Sequence, residues 1–193
     1  MEILNENHFF FCDVETTGFD PIRNDVVSLS MIVTDPDFNP VGEFYETCRP
    51  DFNKFYSSGA EKAHGFTRAQ SEKFQDPRKM LIRLLKFLAP FRTPGKYHPY
   101  IYHALKYFDF RFTDWAFRKQ NMQWSFYKMF DERFTESTIL MARNAGYSPN
   151  KLSDWAERVE FDLQHHNALS DTRCCVEVYK FLRKSSWEIE KQP

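Results

Sequence analysis

The stretch Phe9–Phe19 limits what this chain can fold into more than any other segment does. It joins a short run rich in aromatic residues to a Thr-Thr-Gly turn, a pattern that predicts a buried strand rather than a helix. Two acids, Asp13 and Glu15, stand near the end of that strand. Because side chains alternate across a strand, we expect both carboxylates on one face, with Cys12 and Val14 on the other.

Two carboxylates held close together repel each other unless a positive charge lies between them. Like charges raise each other's pKa unless a cation neutralises them, and hard oxygen ligands suit Mg²⁺ or Mn²⁺. Asp13 and Glu15 are therefore interpreted as half of a metal site. For an isolated Asp-x-Glu, a strand end with two solvated acids is the commoner situation, so residues elsewhere must decide between the two.

The composition is typical of a globular chain with one core. Its 193 residues suit a single domain, and 42% of them are apolar. The net charge of −1 argues against strong non-specific capture of nucleic acid, because such binding scales with the phosphates that Lys and Arg neutralise. Any affinity for nucleic acid must therefore be local.

The cysteines favour a reducing compartment. Cys12, Cys48, Cys174 and Cys175 show no paired metal-binding spacing, so neither a zinc site nor a disulfide framework is indicated. The N-terminus has no basic segment followed by an apolar one, and no apolar run approaches the ~18 residues of a membrane span. We expect a cytoplasmic protein without membrane contact.

Hydrophobic periodicity and turn signals predict an antiparallel meander followed by helices and further strands. Besides the first strand, the predicted strands are 26–34, 42–48, 100–103 and, as a fifth candidate, 126–130. The predicted helices are 58–66, 68–74, one from 77 to before Pro90, one with Asp109 in its first turn, 135–145, 151–159 and 168–182. No repeat or linker divides the chain, so residues 1–185 are expected to form one domain and 186–193 a short polar tail.

Four carboxylates and a histidine recur at informative places in this pattern. Asp13 and Glu15 end a strand, Asp109 lies at a strand-to-helix junction, and His166 precedes Asp171 by five residues. The stretches concerned are Asp13-Val14-Glu15-Thr16-Thr17-Gly18, Ala63-His64-Gly65-Phe66-Thr67, Phe108-Asp109-Phe110-Arg111-Phe112 and His166-Asn167-Ala168-Leu169-Ser170-Asp171. With these motifs the chain resembles the DEDDh 3′–5′ exonucleases, the DnaQ-like group that includes the proofreading epsilon subunit of DNA polymerase III and RNase T. The resemblance covers nearly the whole chain and implies an α/β, ribonuclease H-like fold with a mixed five-stranded sheet flanked by helices.

The resemblance implies a phosphodiester hydrolase that uses two Mg²⁺ or Mn²⁺ ions. Hydrolysis builds negative charge on the attacking and leaving oxygens, and two metals ~3.5–4 Å apart stabilise both. By similarity, Asp13 would contact both ions, Glu15 and Asp171 mainly the first, and Asp109 the second. His166 would take the proton of the attacking water, since an unperturbed imidazole titrates near ~6.5. These five are the predicted catalytic residues, and the four acids are the predicted metal ligands.

The resemblance also indicates how a 3′ end would bind. In the family, backbone groups at the positions of Thr16 and Thr17 meet the terminal 3′-hydroxyl, and the side chain that follows the glycine, here Phe19, wedges between the last two bases. A base stacked on a ring contributes ~1–3 kcal/mol whatever its identity. The ring of Phe108 could equally pack within its own helix. The predicted substrate-binding residues are Thr16, Thr17, Gly18, Phe19, His64 and Phe108.

The chain departs from the family in two motifs. Where the family reads His-Asn-Ala-x-Phe-Asp, this chain runs from His103 to Asp109 with one residue more and without the Asn, so the register of Asp109 is less secure. A second histidine, His165, precedes His166, and either ring could then be the base.

The function indicated is a metal-dependent 3′–5′ exonuclease that releases nucleoside monophosphates from single-stranded 3′ ends, with a proofreading or repair role. DNA is favoured over RNA through the likeness to epsilon. The alternatives are an exoribonuclease resembling RNase T and a non-catalytic nucleic-acid-binding module, although such a module would not need four acids and a histidine. The expected partners are nucleic acid with a single-stranded 3′ end and a DNA polymerase or other replication or repair proteins.

Overall fold

Five strands form one mixed sheet in a computed structural model that describes residues 4–148 and 151–189. The strands are β1 (Phe9–Thr16), β2 (Val26–Thr34), β3 (Pro40–Thr47), β4 (Tyr100–Tyr102) and β5 (Thr135–Ser137). They lie in the order β3-β2-β1-β4-β5, with β1, β2 and β3 antiparallel and with β4 and β5 running parallel to β1. The predicted α/β fold with a mixed five-stranded sheet flanked by helices is confirmed.

The described residues contain eight α-helices, and most of them begin at or next to a predicted start. They are α1 (Ser58–His64), α2 (Arg68–Ser71), α3 (Pro77–Leu88), α4 (Phe108–Lys119), α5 (Gln123–Tyr127), α6 (Thr138–Asn144), α7 (Leu152–Arg158) and α8 (Ala168–Ile189). Side-chain caps explain several of these starts. The Asp76 carboxylate accepts the N–H groups of Arg78 and Lys79, and Pro77 occupies the first helical position of α3.

Helices cover both faces of the sheet. Each face of β1 therefore packs against a different set of helices. On one face, Cys12 and Val14 belong to a core that includes residues of α3 and α4. On the other face, Phe9 and Phe11 pack against Tyr179 of α8. Side chains alternate along β1, so its two acids share the α8 face with these phenylalanines, as predicted.

The predicted fifth strand at 126–130 is wrong. Phe126 lies in α5, and Phe126 and Phe130 are both buried with ring centroids 5.3 Å apart, because a spacing of four places them on one side of a helical turn. The fifth strand is β5, at the position predicted to start a helix. That helix, α6, begins later because the hydroxyl of Ser137 accepts the N–H of Leu140 and caps it.

Three further differences concern helix ends and the tail. α1 ends at His64 because Gly65 adopts a left-handed conformation with φ 75°. α2 is a single turn rather than a helix that reaches 74. α8 continues past the predicted end at 182, so residues 186–189 of the expected tail are helical, and 190–193 lie outside the described residues.

The four cysteines are buried free thiols. In the described part of the chain, no helix has both the length and the apolar character that a bilayer crossing requires.

Candidate active site

Three carboxylates meet where the end of β1 lies beside the start of α8. Asp13, Glu15 and Asp171 each offer an oxygen, and these oxygens lie within 4.8 Å of one another. β1 supplies the first two acids from the face that packs on α8. The third comes from the first turn of α8, which is capped by the side-chain oxygen of Asn167. The strand and the helix therefore bring together acids that lie more than 150 residues apart in the sequence.

Asp109 reaches the same region from the first turn of α4. It is only 2% exposed, and its Oδ1 accepts the N–H of Val14 at 3.3 Å, which places the carboxylate against β1. Among the described residues, its Oδ2 is buried without a hydrogen-bond partner, and so is Oδ1 of Asp171. A buried carboxylate oxygen without a partner is costly, and hard oxygen donors suit a divalent cation. The donor set therefore fits a metal such as Mg²⁺ or Mn²⁺.

The extra residue of the second motif is accommodated before α4 begins. Lys106 and Tyr107 both adopt left-handed backbone conformations, with φ 57° and 58°, and Tyr107 is the residue that precedes the helix. Asp109 consequently keeps its predicted place in the first turn. Asp114 is directed elsewhere, because its carboxylate pairs with Arg118 at 2.8 Å.

Burial raises the pKa of every acid in the cluster. Loss of hydration is the largest cause for all four, and neighbouring negative charges add to it at Asp13, Glu15 and Asp109. The pKa of Asp13 is raised well above its usual range, that of Glu15 to about 8, and those of Asp109 and Asp171 to about 7. The backbone N–H of His166 opposes the shift in the pKa of Asp171. The apo cluster therefore retains protons near neutral pH, and a bound cation would favour the charged forms.

His166 lies on the loop before α8, and its side chain is exposed. Its backbone has φ 60°, a conformation that few residues with a side chain adopt. Together with Asp13 and Asp171, it lines an open cavity of about 550 Å³. His165 lines the same cavity, with its ring centroid 5.6 Å from that of His166. The structure thus brings both histidines to the cavity that contains these acids.

The cavity also contains residues that the sequence analysis did not assign to the site. They are His103, Ile139, Lys151, Leu152 and Ser153. His103 had a usable signal, because it follows β4, whose parallel pairing with β1 brings both carboxyl ends to one edge of the sheet. No sequence pattern pointed to Lys151, which directly precedes α7.

The Thr-Thr-Gly turn after β1 is fixed by its own hydrogen bonds. The hydroxyl of Thr16 donates to the carbonyl of Gly18 at 2.6 Å, and the hydroxyl of Thr17 accepts the N–H of Asp25 at 3.0 Å. Gly18 passes so close to Asn24 that a Cβ at this position would lie 2.7 Å from the Asn24 side chain. Only glycine fits there without displacing Asn24.

The predicted base-binding rings lie beside this turn. Phe19 is 88% exposed, and its ring centroid is 6.4 Å from that of Phe108. Phe108 also contacts Phe112 at 4.7 Å, so it packs on its own helix while remaining next to Phe19. His64 is buried, and burial lowers its pKa, with a smaller contribution from the charge of His166. All six predicted substrate-binding residues therefore lie at the end of β1, in the turn that follows it, or next to that turn.

The mixed five-stranded sheet flanked by helices matches the ribonuclease H-like fold. The family model RNase_T, described as an exonuclease, matches residues 10–179, and the chain belongs to this exonuclease family. No curated protein sequence matches the chain.

Solved structures of exonuclease I share the fold. Escherichia coli exonuclease I in complex with a dT13 oligonucleotide has a TM-score of 0.76 at 18% identity, over 95% of this chain and 42% of that one. Exonuclease I from Methylocaldum szegediense gives 0.74 at 19%, over 94% and 41%. The zinc-bound E. coli enzyme in complex with single-stranded DNA gives 0.76 at 17%, over 96% and 42%. This chain thus spans about two fifths of the length of those proteins.

Proposed function

We propose that this chain is a metal-dependent 3′–5′ exonuclease of the DEDDh type that releases nucleoside monophosphates from single-stranded 3′ ends. The observation that carries the proposal is the meeting of Asp13, Glu15 and Asp171 within 4.8 Å, with buried Asp109 beside them. Such a cluster costs folding free energy, because each acid is held where its charged form is disfavoured. A local cost of this kind is expected at a functional site.

The four acids and His166 have separate roles in the proposed reaction. Asp13, Glu15, Asp109 and Asp171 would hold two Mg²⁺ or Mn²⁺ ions, which when bound supply charge stabilisation for the attacking and leaving oxygens. The ring of His166 is exposed in the same cavity, so it can take the proton of the attacking water.

The turn and the rings beside it would hold the 3′ end. Thr16, Thr17 and Gly18 form a buried and hydrogen-bonded floor, whose backbone would meet the terminal sugar. Phe19 is free to stack on bases because almost all of its side chain is in solvent. Phe108 and His64 would complete the pocket.

DNA is the favoured substrate. Structures with the same fold include exonuclease I complexes with single-stranded DNA, which supports this choice without deciding it. We also propose that residues 1–185 act as one exonuclease domain in the cytoplasm. A proofreading or repair role, with a DNA polymerase or another replication or repair protein as partner, follows from the resemblance to epsilon.

Digestion of matched substrates tests the proposal. Single-stranded DNA, duplex DNA and single-stranded RNA of one sequence, labelled at the 5′ end in one set and at the 3′ end in another, are incubated with Mg²⁺, Mn²⁺ or EDTA. We expect mononucleotides from the 3′ end of single-stranded DNA, with metal only. Faster digestion of the RNA would favour the exoribonuclease alternative, and binding without cleavage in every metal would favour the non-catalytic module.

A further inference from the structure

Phe55 is a large apolar side chain in solvent close to the candidate site. It lies between β3 and α1, and 70% of it is exposed. Among the described residues its ring makes no aromatic contact and covers no cation, unlike Phe52, whose ring is covered by the Arg68 guanidinium at 5.1 Å. A single exposed ring is ordinary on a protein surface. What distinguishes Phe55 is how its backbone is held.

The segment that carries Phe55 is fastened to the Thr-Thr-Gly turn. Asn24 is buried, and its Nδ2 donates to the carbonyl of Phe55 at 2.9 Å and to that of Thr17 at 3.4 Å. The same Thr17 carbonyl accepts the N–H of Ser57 at 2.8 Å. Two hydrogen-bond connections therefore tie the backbone at Phe55 and two residues after it to the turn that positions Phe19.

The loop that Asn24 joins to Phe55 also carries an exposed cation. Arg23 lies on the loop that follows Phe19, and its side chain is 83% exposed, with an ion pair of 3.6 Å to a half-exposed Asp20. Such a pair is weak, because water screens it, so a phosphate can compete for the guanidinium. Exposed rings beside exposed cations are the usual elements of a surface that binds single strands.

We infer that Phe55 is a second stacking platform for the single strand, which holds a base upstream of the two that Phe19 separates. The inference rests on the proposed function, which places the 3′ end at the acid cluster. Phe55 does not line the cavity that contains Asp13 and His166, and it is connected to that cavity through the turn. A base stacked on Phe55 therefore belongs to a nucleotide outside the cavity, farther from the 3′ end.

Affinity as a function of strand length tests this inference. Oligothymidylates of two to about ten nucleotides with a 5′ fluorophore are titrated with the full chain in EDTA, and Kd is read by fluorescence anisotropy without cleavage. We expect Phe55→Ala to raise Kd for the long strands by about 5- to 150-fold, the range of one lost stack, and to leave the dinucleotide unchanged. Phe55→Trp should retain the affinity of the parent for long strands.

Two control variants and one stability measurement accompany this test. Phe19→Ala should weaken binding of the dinucleotide and of the long strands alike. Trp124→Ala removes a ring of α5 that is equally exposed, at 71%, and should change neither. Phe55→Ala should also melt at the temperature of the parent, since little of its ring is buried.

Two results would overturn the inference. One is a Kd for long strands that Phe55→Ala leaves equal to that of the parent, which would leave the ring available to a protein partner instead. The other is an equal loss of affinity for the dinucleotide and the long strands, which would mean that Phe55 only shapes the turn. Failure of the proposed function gives a different result, because the chain would then digest no strand with Mg²⁺ while length-dependent binding through Phe55 persists.

Discussion

The acid cluster and Asp25 are joined by the same Thr-Thr-Gly turn, yet their surroundings are opposite. One carboxylate oxygen of Asp25 accepts from the ammonium groups of Lys119 and Lys54, and the other accepts the N–H of Asp51 at 2.9 Å. Burial would raise the pKa of Asp25, but these partners lower it below its usual value. Among the described residues no Lys or Arg forms an ion pair with an acid of the cluster, and the pKa of each of these acids is raised.

This difference separates an acid that stabilises the fold from acids that serve a reaction. A buried carboxylate with two ammonium partners satisfies its charge within the protein, so it holds loop 16–25 in place without a ligand. Four acids held together without a counter-charge satisfy theirs only when cations arrive. The comparison therefore predicts opposite consequences for the loss of either kind of acid.

The largest effect is expected from removing an acid of β1. Asp13→Ala or Glu15→Ala should abolish nearly all turnover of single-stranded DNA in Mg²⁺, because the remaining acids cannot hold the ions in the same way. The free energy of unfolding should stay the same or rise, since a repulsive charge is removed. Digestion of end-labelled DNA and thermal melting measure the two quantities. Undiminished digestion by Asp13→Ala with a normal circular dichroism spectrum would contradict the metal site.

Asp25→Asn is the matched control. We expect it to lower stability and to leave most of the turnover intact. It leaves the half-buried Lys119 without its acid, so the free energy of unfolding should fall by about 1–3 kcal/mol. The protein that remains folded should keep most of its turnover at saturating substrate. A variant that retains the stability of the parent would show that the Asp25 network does not anchor the turn.

The second largest effect concerns the two acids of α4. Asp109→Asn should reduce turnover by orders of magnitude, since its carboxylate lies against β1 beside the cluster. Asp114→Asn should keep most of the activity, because Asp114 pairs with Arg118 and lies five positions on, rotated about 140° around a helix with ~3.6 residues per turn. The single-turnover rate in Mg²⁺ compares them. A reversal of the two results would place the functional carboxylate at Asp114.

A smaller loss of activity is expected when the general-base histidine is replaced. His166→Ala should reduce the maximal rate by ~10²–10⁴-fold and leave substrate affinity nearly unchanged, as is typical for loss of a general base. His165→Ala should remain close to the parent, although both rings line the cavity. If His165→Ala is instead the inactive variant, the general base is His165. Full activity in both variants would mean that no histidine is needed to activate the water.

The residues of the acid cluster could be predicted because the direction of each side chain follows from its position in a strand or a helix. Strand alternation directs Asp13 and Glu15 to one face, and a first-turn position orients Asp171 at the start of α8. The motif resemblance then connected stretches that are distant in the sequence. The α/β fold followed from the same information, with the exception of the fifth strand, where Phe126 and Phe130 fit a strand and a helical turn equally well.

The support of the turn could not be predicted from the sequence. Asn24 contacts Phe55 across 31 positions, and Lys119 contacts Asp25 across 94. Such hydrogen bonds depend on how the loop, α4 and the segment after β3 pack together, and no periodicity or motif encodes that packing. Lys151 entered the cavity for the same reason, since the position of α7 against α8 is set by tertiary contacts.

The smallest effect is expected in how stability depends on pH without metal. Glu15 has a pKa of about 8 and Asp109 and Asp171 of about 7 in the folded chain, against ~4 when unfolded. Between these values the folded state binds more protons, so stability falls as pH rises from about 5 to about 8. The contribution of Asp25 to stability changes with pH in the opposite direction. Its pKa is lowered on folding, so its contribution is lost only as pH falls below about 4.

Thermal melting in EDTA over this pH range tests both signs, and the expected change of Tm is several degrees. Asp171→Asn should flatten the decline between about pH 5 and 8, whereas Asp25→Asn should retain that decline and lose part of the acid-side loss. Mg²⁺ should raise Tm most at the upper end of the range, because a cation binds only the charged acids. A metal-free Tm that does not change between about pH 5 and 8 would mean that the four acids are as well satisfied as Asp25. The distinction between the two regions would then be lost.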